Sequence, residues 1–264
     1  MDGTRTGVAA ADAAAPARWD PAATLARGLP GGVAVSRLRV YDWPTADGLA
    51  GGSPHLHTAS TEGYVVLTGT GELESLSSRG LERTPLFPGA VVWFTPGTVH
   101  RLINTSGDLE IMTLMSNAGL PEAGDAVLTF PADILADPQR YAAAAALPAT
   151  ADQAELAAAA RARRDLALAG WAELRARAET DLAGALDALY TAAAAVVAPR
   201  LDTWREIWQA GPQSQSDATN ATLELLAAAH TASLYGSGVG TIEPLPGGER
   251  WGMCGRLTVW PKAS

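Results

Sequence analysis

A run of short, strand-like segments between Pro54 and Met115 constrains the fold of this chain more than any other feature. Glycine, proline and small polar residues separate the segments at close intervals, as turns require. The candidate strands are 54–58, 62–68, 72–77, 82–86, 90–94, 99–104 and 109–115. Many short strands joined by closely spaced turns indicate an antiparallel sandwich or barrel.

Three of the chain's four histidines lie in this region, namely His55, His57 and His100. A spacing of two puts the rings of His55 and His57 on one face of a strand, about 6–7 Å apart along the backbone. Glu62 follows after a short polar break. Three imidazoles and one carboxylate that converge on one point are typical of a site for a divalent transition metal.

The segments before and after this region complete the predicted organisation. Residues 1–30 are expected to form a loose arm with a short helix over Pro21–Arg27, and Val33–Trp43 alternates as a strand does. The predicted divisions are a barrel over 31–130, a helical region over 131–240 and a strand segment over 241–264. We expect the final strand, 255–261, to return to the barrel and pair with Val33–Trp43.

Strong helix formers dominate residues 151–197, where Gly170 and Gly184 are expected to break the helix. Further helices are predicted over 201–210 and 216–235. The arginines between Arg161 and Arg164 are expected to lie on a solvated helix face, and His230 is expected to lie at the surface. The fold class is therefore β plus α, with an antiparallel barrel first and helices second.

Composition excludes some function classes. The net charge of −9 argues against a nucleic-acid partner, because phosphate binding needs a basic face. The single cysteine, Cys254, cannot form an intrachain disulfide and is expected to be a buried core residue. No signal peptide or membrane span is predicted, so we expect a cytoplasmic protein that needs no membrane.

Two motifs carry a resemblance to a known family. The first is His55-Leu56-His57, then four residues, Glu62, six residues and Gly69. The second is Gly89, then five residues, Thr95-Pro96-Gly97, two residues, His100, three residues and Asn104. Apart from Thr95, where the pattern has proline, and an offset glycine before the first histidine, both resemble the signatures of the cupin superfamily. The resemblance covers residues 33–118, and cupins are small jelly-roll metalloproteins.

The resemblance implies that His55, His57, Glu62 and His100 are ligands of one divalent transition metal ion. Neutral imidazole and carboxylate suit Fe, Mn, Ni, Zn or Cu, and we favour Fe(II) among them. Four protein ligands on an octahedral ion leave two positions open, which is typical of a catalytic site. We also expect a homodimer.

Strand parity predicts the lining of a substrate pocket. Tyr64 and Val66 share parity with Glu62, Leu102 shares it with His100, and Phe94 is chosen over Trp93 as a further lining residue. Tyr64 is also the candidate catalytic residue besides the metal. Arg37 and Arg39 lie on one face of a strand, which we interpret as a solvated edge strand rather than a clamp for an anionic substrate.

Three functions stay open for a small-molecule substrate. The favoured one is a metal-dependent oxygenase, in particular a dioxygenase. The second is an isomerase, epimerase or lyase in which the metal is a Lewis acid and Tyr64 or Glu62 moves a proton. The third is a non-catalytic ligand-binding or regulatory protein, because a fold alone does not determine function.

Overall fold

Two antiparallel sheets face each other in the computed structural model, which describes residues 28–260. The six-stranded sheet has the order β10-β11-β1-β8-β3-β6, and the five-stranded sheet has the order β5-β4-β7-β2-β9. The strands are β1 (Ala34–Val40), β2 (His55–His57), β3 (Glu62–Thr68), β4 (Gly71–Ser77), β5 (Gly80–Leu86), β6 (Val91–Phe94), β7 (Val99–Asn104), β8 (Glu110–Met115), β9 (Ala126–Leu128), β10 (Arg250–Trp251) and β11 (Gly255–Val259). The predicted β plus α class is confirmed.

All seven segments predicted as strands between residues 54 and 115 are strands, with ends that move by at most two residues. Sequence reasoning missed β9 and β10, which are too short to show an alternating pattern. The predicted pairing of the last strand is present, because β11 lies antiparallel to β1 with Ser36 opposite Val259. The helix predicted over Pro21–Arg27 lies outside the described residues.

The two strands beside β1 correct one expectation. Because β1 pairs with β11 on one side and β8 on the other, it is not an edge strand. Arg37 and Arg39 do lie on the exposed outward side, where they pair with Glu110 and Glu249. The opposite side of β1 turns Leu38 and Val40 into the barrel core.

In the described part of the chain, six α-helices lie between β9 and β10, and some of them cover the outer face of the five-stranded sheet. They are α1 (Ala132–Leu135), α2 (Pro138–Ala145), α3 (Gln153–Ala178), α4 (Leu182–Val197), α5 (Leu201–Trp208) and α6 (Ser214–Ala227), with a π-helical turn over Gln209–Gln213. Apolar side chains of the sheet and of α3 and α4 form one buried cluster, which includes Leu56, Leu76, Trp171 and Leu189. This cluster lies outside the barrel, and a second one fills its interior.

The break in the long helix falls at 179–181 and not at the two glycines. Asp181 begins α4 as its N-cap, and its side chain accepts a hydrogen bond from the backbone N–H of Gly184. Gly170 lies inside α3, where a Cβ would stand 2.2 Å from the carbonyl oxygen of Thr129. The absence of a side chain at Gly170 therefore permits close packing of α3 against the segment that follows β9.

The helix predicted over 216–235 begins earlier, at Ser214, and ends at Ala227. Ala229 takes a left-handed backbone conformation (φ 57°), and the N–H of His230 then bonds back to the carbonyl of Leu225. This is the bonding pattern of a helix C-terminal cap, so the helix stops without a glycine. His230 is exposed, as predicted.

The arginine cluster on α3 is not the solvated face that the sequence predicted. Arg164 is fully buried, and its guanidinium donates hydrogen bonds to the carbonyl oxygens of Trp43, Pro44 and Gly51. These carbonyls lie between β1 and β2, where the structure has isolated bridges, Pro44 with Ala50 and Gly51 with Ile103. Arg161 is exposed, as expected.

Within the described residues, the helical stretch Leu182–Ala227 is long and apolar enough to cross a membrane by length and composition alone, with a window of mean hydropathy 1.5. A core helix of a soluble protein passes the same test. Here α4 contributes Leu186, Leu189 and Val196 to the buried cluster outside the five-stranded sheet. The stretch is thus weak evidence of a membrane segment.

Candidate metal centre

Four side chains from both sheets converge inside the barrel. His55 and His57 lie on β2 and His100 on β7 of the five-stranded sheet, while Glu62 begins β3 of the six-stranded sheet. One ligand atom from each of the four lies within 4.8 Å of the others, and all four residues are buried. The fold thus brings together the four residues predicted to converge, and they could hold a metal ion.

Backbone carbonyls orient two of the imidazoles. The Nδ1 atom of His55 lies 2.9 Å from the carbonyl oxygen of Ser53, and that of His100 lies 3.0 Å from the carbonyl oxygen of Thr98. A ring whose Nδ1–H donates to a carbonyl leaves Nε2 unprotonated and able to bind a cation. Both rings therefore present Nε2 to the shared centre.

Asp125 lies beside the third imidazole and was missed by sequence reasoning. Its Oδ2 atom lies 3.3 Å from Nδ1 of His57. The carboxylate also accepts hydrogen bonds from the backbone N–H groups of Thr58, Ala59 and Ser60. Asp125 lies just before the three-residue strand β9, in a segment without a recognisable motif. Only the fold therefore reveals its position beside His57.

The charges at the centre shift the pKa values of its members. Burial lowers the pKa of His57, but the carboxylates of Glu62 and Asp125 outweigh this effect and raise it to about 9. Burial raises the pKa of Glu62, but His57 and His100 outweigh it and hold the pKa far below its usual range. Burial and the neighbouring histidines lower the pKa of His55.

The donor atoms of this cluster fit a bound cation. Nε2 of His57 and Nε2 of His100 each lie 3.1 Å from Oε2 of Glu62, yet none of these three buried atoms makes a hydrogen bond. Buried polar atoms are nearly always hydrogen-bonded, so a group of orphaned ones that face each other needs an explanation. A divalent cation at their centre would satisfy all of them, and imidazole with carboxylate is a donor set that transition metals accept.

The four residues predicted to line the pocket all belong to the apolar cluster of the barrel interior. Tyr64, Val66 and Leu102 are fully buried in the apolar cluster of the barrel interior. Phe94 stands against the centre, with its ring centroid 4.1 Å from that of His100 and 5.4 Å from that of Tyr64. Burial and the charge of Glu62 raise the pKa of Tyr64 well above its usual value, so its phenol stays protonated. Their roles toward a substrate stay predictions.

A cleft of about 600 Å³ opens between β4–β5 and β6 and leads toward Phe94. Ser75 in its wall lies directly opposite His100 on the neighbouring strand. Its lining combines the short polar Ser75, Ser77, Thr84 and Thr98 with the charged Arg79 and Glu82 and with apolar side chains that include Leu73, Val92 and Phe94. The lining of this cleft is thus more polar than the pocket lining predicted from strand parity.

The lone cysteine lies behind the ring of His55, on the side away from the centre. Cys254 is buried, and its Sγ atom lies 3.8 Å from Nδ1 of His55 and 3.7 Å from the carbonyl oxygen of Ser53. Burial raises the pKa of its thiol, so it is not a thiolate nucleophile. The predicted core role is confirmed, although its contact with His55 could not be read from the sequence.

Comparison with known proteins agrees with this geometry. A family model described as a cupin domain matches residues 46–115, which contain all four residues of the centre. These residues therefore match the cupin superfamily. A search of curated proteins found no match.

Three solved structures are similar to about a third of this chain. An uncharacterised protein with a double-stranded β-helix domain from Klebsiella pneumoniae is 19% identical over 32% of this chain and 64% of its own, with a TM-score of 0.25. A predicted oxalate decarboxylase from Thermotoga maritima is 21% identical over 32% of this chain and 64% of its own, with a TM-score of 0.24. The nucleoside dehydratase Pac13, from Streptomyces, is 18% identical over 37% and 68%, with a TM-score of 0.28. The chain thus spans less than two thirds of the first of these proteins, and at such scores the likeness carries no information about activity.

Proposed function

We propose that this protein is a metal-dependent oxygenase that acts on a small polar organic molecule. The observation that carries the proposal is the set of orphaned donor atoms on His57, Glu62 and His100, which face one point inside the barrel. Outward hydrogen bonds and Asp125 hold the rings in this orientation. Such prior orientation of ligands is typical of functional metal sites.

Fe(II) is the ion that we propose for the centre. When bound, it would supply the capacity to bind and activate O₂, which no amino-acid side chain has. Four protein ligands on an octahedral ion would leave two positions for substrate and O₂. His55, His57, Glu62 and His100 would hold the ion, and Phe94 would limit access of water from the cleft side.

The pKa values of the surrounding side chains bear on the choice between the oxygenase and an isomerase, epimerase or lyase. A general base works best when its pKa lies near the operating pH. Glu62 and Asp125 have pKa values far below that range, while Tyr64 and Cys254 have pKa values far above it. Tyr64 can therefore donate a proton or a hydrogen bond, but a base of suitable strength is not found among these groups.

The polar cleft bears on the substrate. Hydroxyl groups of serine and threonine along the wall can bond to hydroxyl or carbonyl groups of a ligand, while Phe94 offers one apolar surface. We therefore propose a small, polar substrate. A large apolar substrate would leave these hydroxyls without partners.

The ligand assignment is tested by metal analysis of two variants. The protein is loaded anaerobically with Fe(II), desalted and analysed for iron by plasma mass spectrometry. We expect His57→Ala to lose most of the metal while its circular dichroism is retained. His230→Ala is the matched control, because this exposed histidine lies outside the centre, and it should keep full occupancy. Full occupancy in His57→Ala would overturn the assignment.

The activity is tested on the loaded protein with an oxygen electrode and a panel of phenols, thiols, diketones and polyols. We expect O₂ consumption with at least one substrate and none in His57→Ala. Nitric oxide, which binds Fe(II) at an open position, should give a half-integer-spin EPR signal in the wild type. Loaded protein that gives this signal but consumes no O₂ with any substrate would support the isomerase or the non-catalytic alternative instead.

A further inference from the structure

A pocket of about 510 Å³ lies on the outer side of the five-stranded sheet, between the sheet and the helices α4 and α5. We name it the helix pocket; Leu56 of β2, Tyr190 of α4 and Trp204 of α5 lie in its wall. Side chains alternate along a strand, so Leu56 points away from the barrel interior that His55 and His57 face. Strand β2 therefore separates the helix pocket from the metal centre.

The lining of the helix pocket is apolar. Among the described residues that form its wall, none carries a charged side chain. The Tyr190 hydroxyl and the Trp204 indole N–H already donate hydrogen bonds to backbone carbonyls, and the Thr58 hydroxyl donates one to Asp125. Polar groups of a ligand would lose their water here without gaining such partners, which costs free energy. An uncharged apolar ligand avoids this cost.

We propose that the helix pocket binds an uncharged aromatic small molecule and that this binding is coupled to the metal centre. Small-molecule sites typically have volumes of about 300–1,000 Å³ and mostly apolar walls, and the helix pocket has both properties. The side chains of Tyr190 and Trp204 offer aromatic surface for ring contacts. A segment of a partner protein is a poorer occupant, because its backbone N–H and C=O groups would be buried without partners.

The floor of the helix pocket adjoins two of the predicted metal ligands. Thr58 follows His57 directly, and the backbone N–H of Gly97 donates a hydrogen bond of 2.9 Å to the carbonyl oxygen of His57. Gly97 precedes Thr98, whose carbonyl oxygen lies 3.0 Å from Nδ1 of His100. A molecule packed on these two segments restricts the backbone beside both imidazoles. The centre then loses less conformational entropy when it takes up a cation, so the two binding events favour each other.

A fluorine NMR titration of the full-length, metal-free chain with 1-fluoronaphthalene tests the site. We expect the wild type to bind this probe. Ala194 lines the helix pocket but is exposed, so Ala194→Trp can fill the pocket without disturbing the core. It should weaken binding about tenfold or more, because the probe and the new side chain compete for one volume. Its circular dichroism should match the wild type.

Ala195→Trp is the matched control, because Ala195 is the next residue on α4, is also exposed and lies outside the lining. This variant should bind the probe like the wild type. The proposal is overturned if the wild type does not bind the probe, as filling of the pocket by residues 1–27 or by another chain would cause. It is also overturned if Ala194→Trp binds as tightly as the wild type, which would place the probe elsewhere.

The coupling is tested by the same titration after anaerobic loading with Fe(II). We expect loading to tighten probe binding about fivefold or more, and linkage requires the probe to tighten iron binding by the same factor. Equal affinity of the loaded and the metal-free protein would overturn the coupling. This part rests on the proposed metal centre, whereas probe binding to the metal-free chain does not. Iron analysis of the loaded protein therefore distinguishes failure of the centre from failure of the helix pocket.

Discussion

The two sheets of the barrel share one interior but differ in what lies outside them. The five-stranded sheet is covered by α3 and α4, and its outward-facing Glu74 and Arg101 are buried. The six-stranded sheet shows apolar residues and exposed ion pairs to its surroundings. The alternating strand pattern thus defines which residues face the barrel interior. Whether the outward-facing residues are buried or exposed depends on other elements of the chain.

The covered face is held by a buried carboxylate. Glu74 on β4 accepts hydrogen bonds from Arg101 on the neighbouring strand, from Arg83 on β5 and from the indole N–H of Trp171 on α3. Because every partner donates to the same group, the helix and the sheet are joined at one point. A buried charge that lost these donors would be strongly destabilising.

We expect the largest effect from Trp171→Ala, which should lower the free energy of unfolding by about 4 kcal/mol. The change leaves a cavity under α3 and takes one hydrogen-bond donor from Glu74. Urea denaturation followed by fluorescence measures it. The same change on the other sheet, Trp93→Ala, should cost less than about 0.5 kcal/mol at concentrations where the chain is a monomer. Equal losses of unfolding free energy in the two variants would contradict the difference between the covered and the exposed face.

Gly170→Ala should lower the stability by about 3 kcal/mol, although alanine is the better helix former. The new Cβ would stand against the backbone of Thr129, Phe130 and Pro131, which cannot move aside cheaply. Gly63→Ala on the six-stranded sheet is the control, because a Cβ there meets only ordinary contacts at 3.4 Å or more. Thermal melts of both variants would show the asymmetry, and a stabilised Gly170→Ala would refute the close contact.

Glu74→Gln should cost about 2 kcal/mol near neutral pH, because the amide keeps some hydrogen bonds but leaves Arg101 without its buried charge partner. Burial raises the pKa of Glu74, but Arg101 and Arg83 outweigh it and the pKa lies below its ordinary value of 4.5. A group whose pKa falls on folding stabilises the fold above its unfolded pKa and loses this effect as the pH drops through the folded value.

The difference between wild type and Glu74→Gln should therefore shrink as the pH falls below 4.5. Unfolding curves recorded across the acid range check this dependence. A difference that stays constant down to the lowest pH would mean that the charge of Glu74 does not stabilise the helix-covered face.

The smallest effect is expected from Glu110→Gln on the six-stranded sheet. Its partner Arg37 is about half exposed, and exposed ion pairs contribute less than about 1 kcal/mol. We expect a loss of less than about 0.5 kcal/mol that vanishes at high salt. A loss as large as that of Glu74→Gln would show that the two faces do not differ as described.

The strand pattern predicted the barrel well, because an alternating sequence reports directly which side chains turn inward. The same parity placed His55, His57, Glu62 and His100 together, since two of them share a strand and the others begin or lie on strands with strong patterns. Parity also placed Tyr64, Val66 and Leu102 inside, but it could not separate packed core from cleft wall. Whether an inward-facing residue is buried in the core or lines the cleft depends on where β5 and β6 separate. A local sequence pattern does not show this.

Sequence alone thus determined the barrel, its final strand and the four residues of the centre. Only the tertiary structure decided the rest: Asp125 beside His57, Arg164 buried under a loop, and Cys254 against His55. Each of these contacts joins residues far apart in the chain through a single side chain, so it leaves no periodic trace. The two outer faces were decided in the same way, because the helices bury the outward residues of one sheet while those of the other stay exposed.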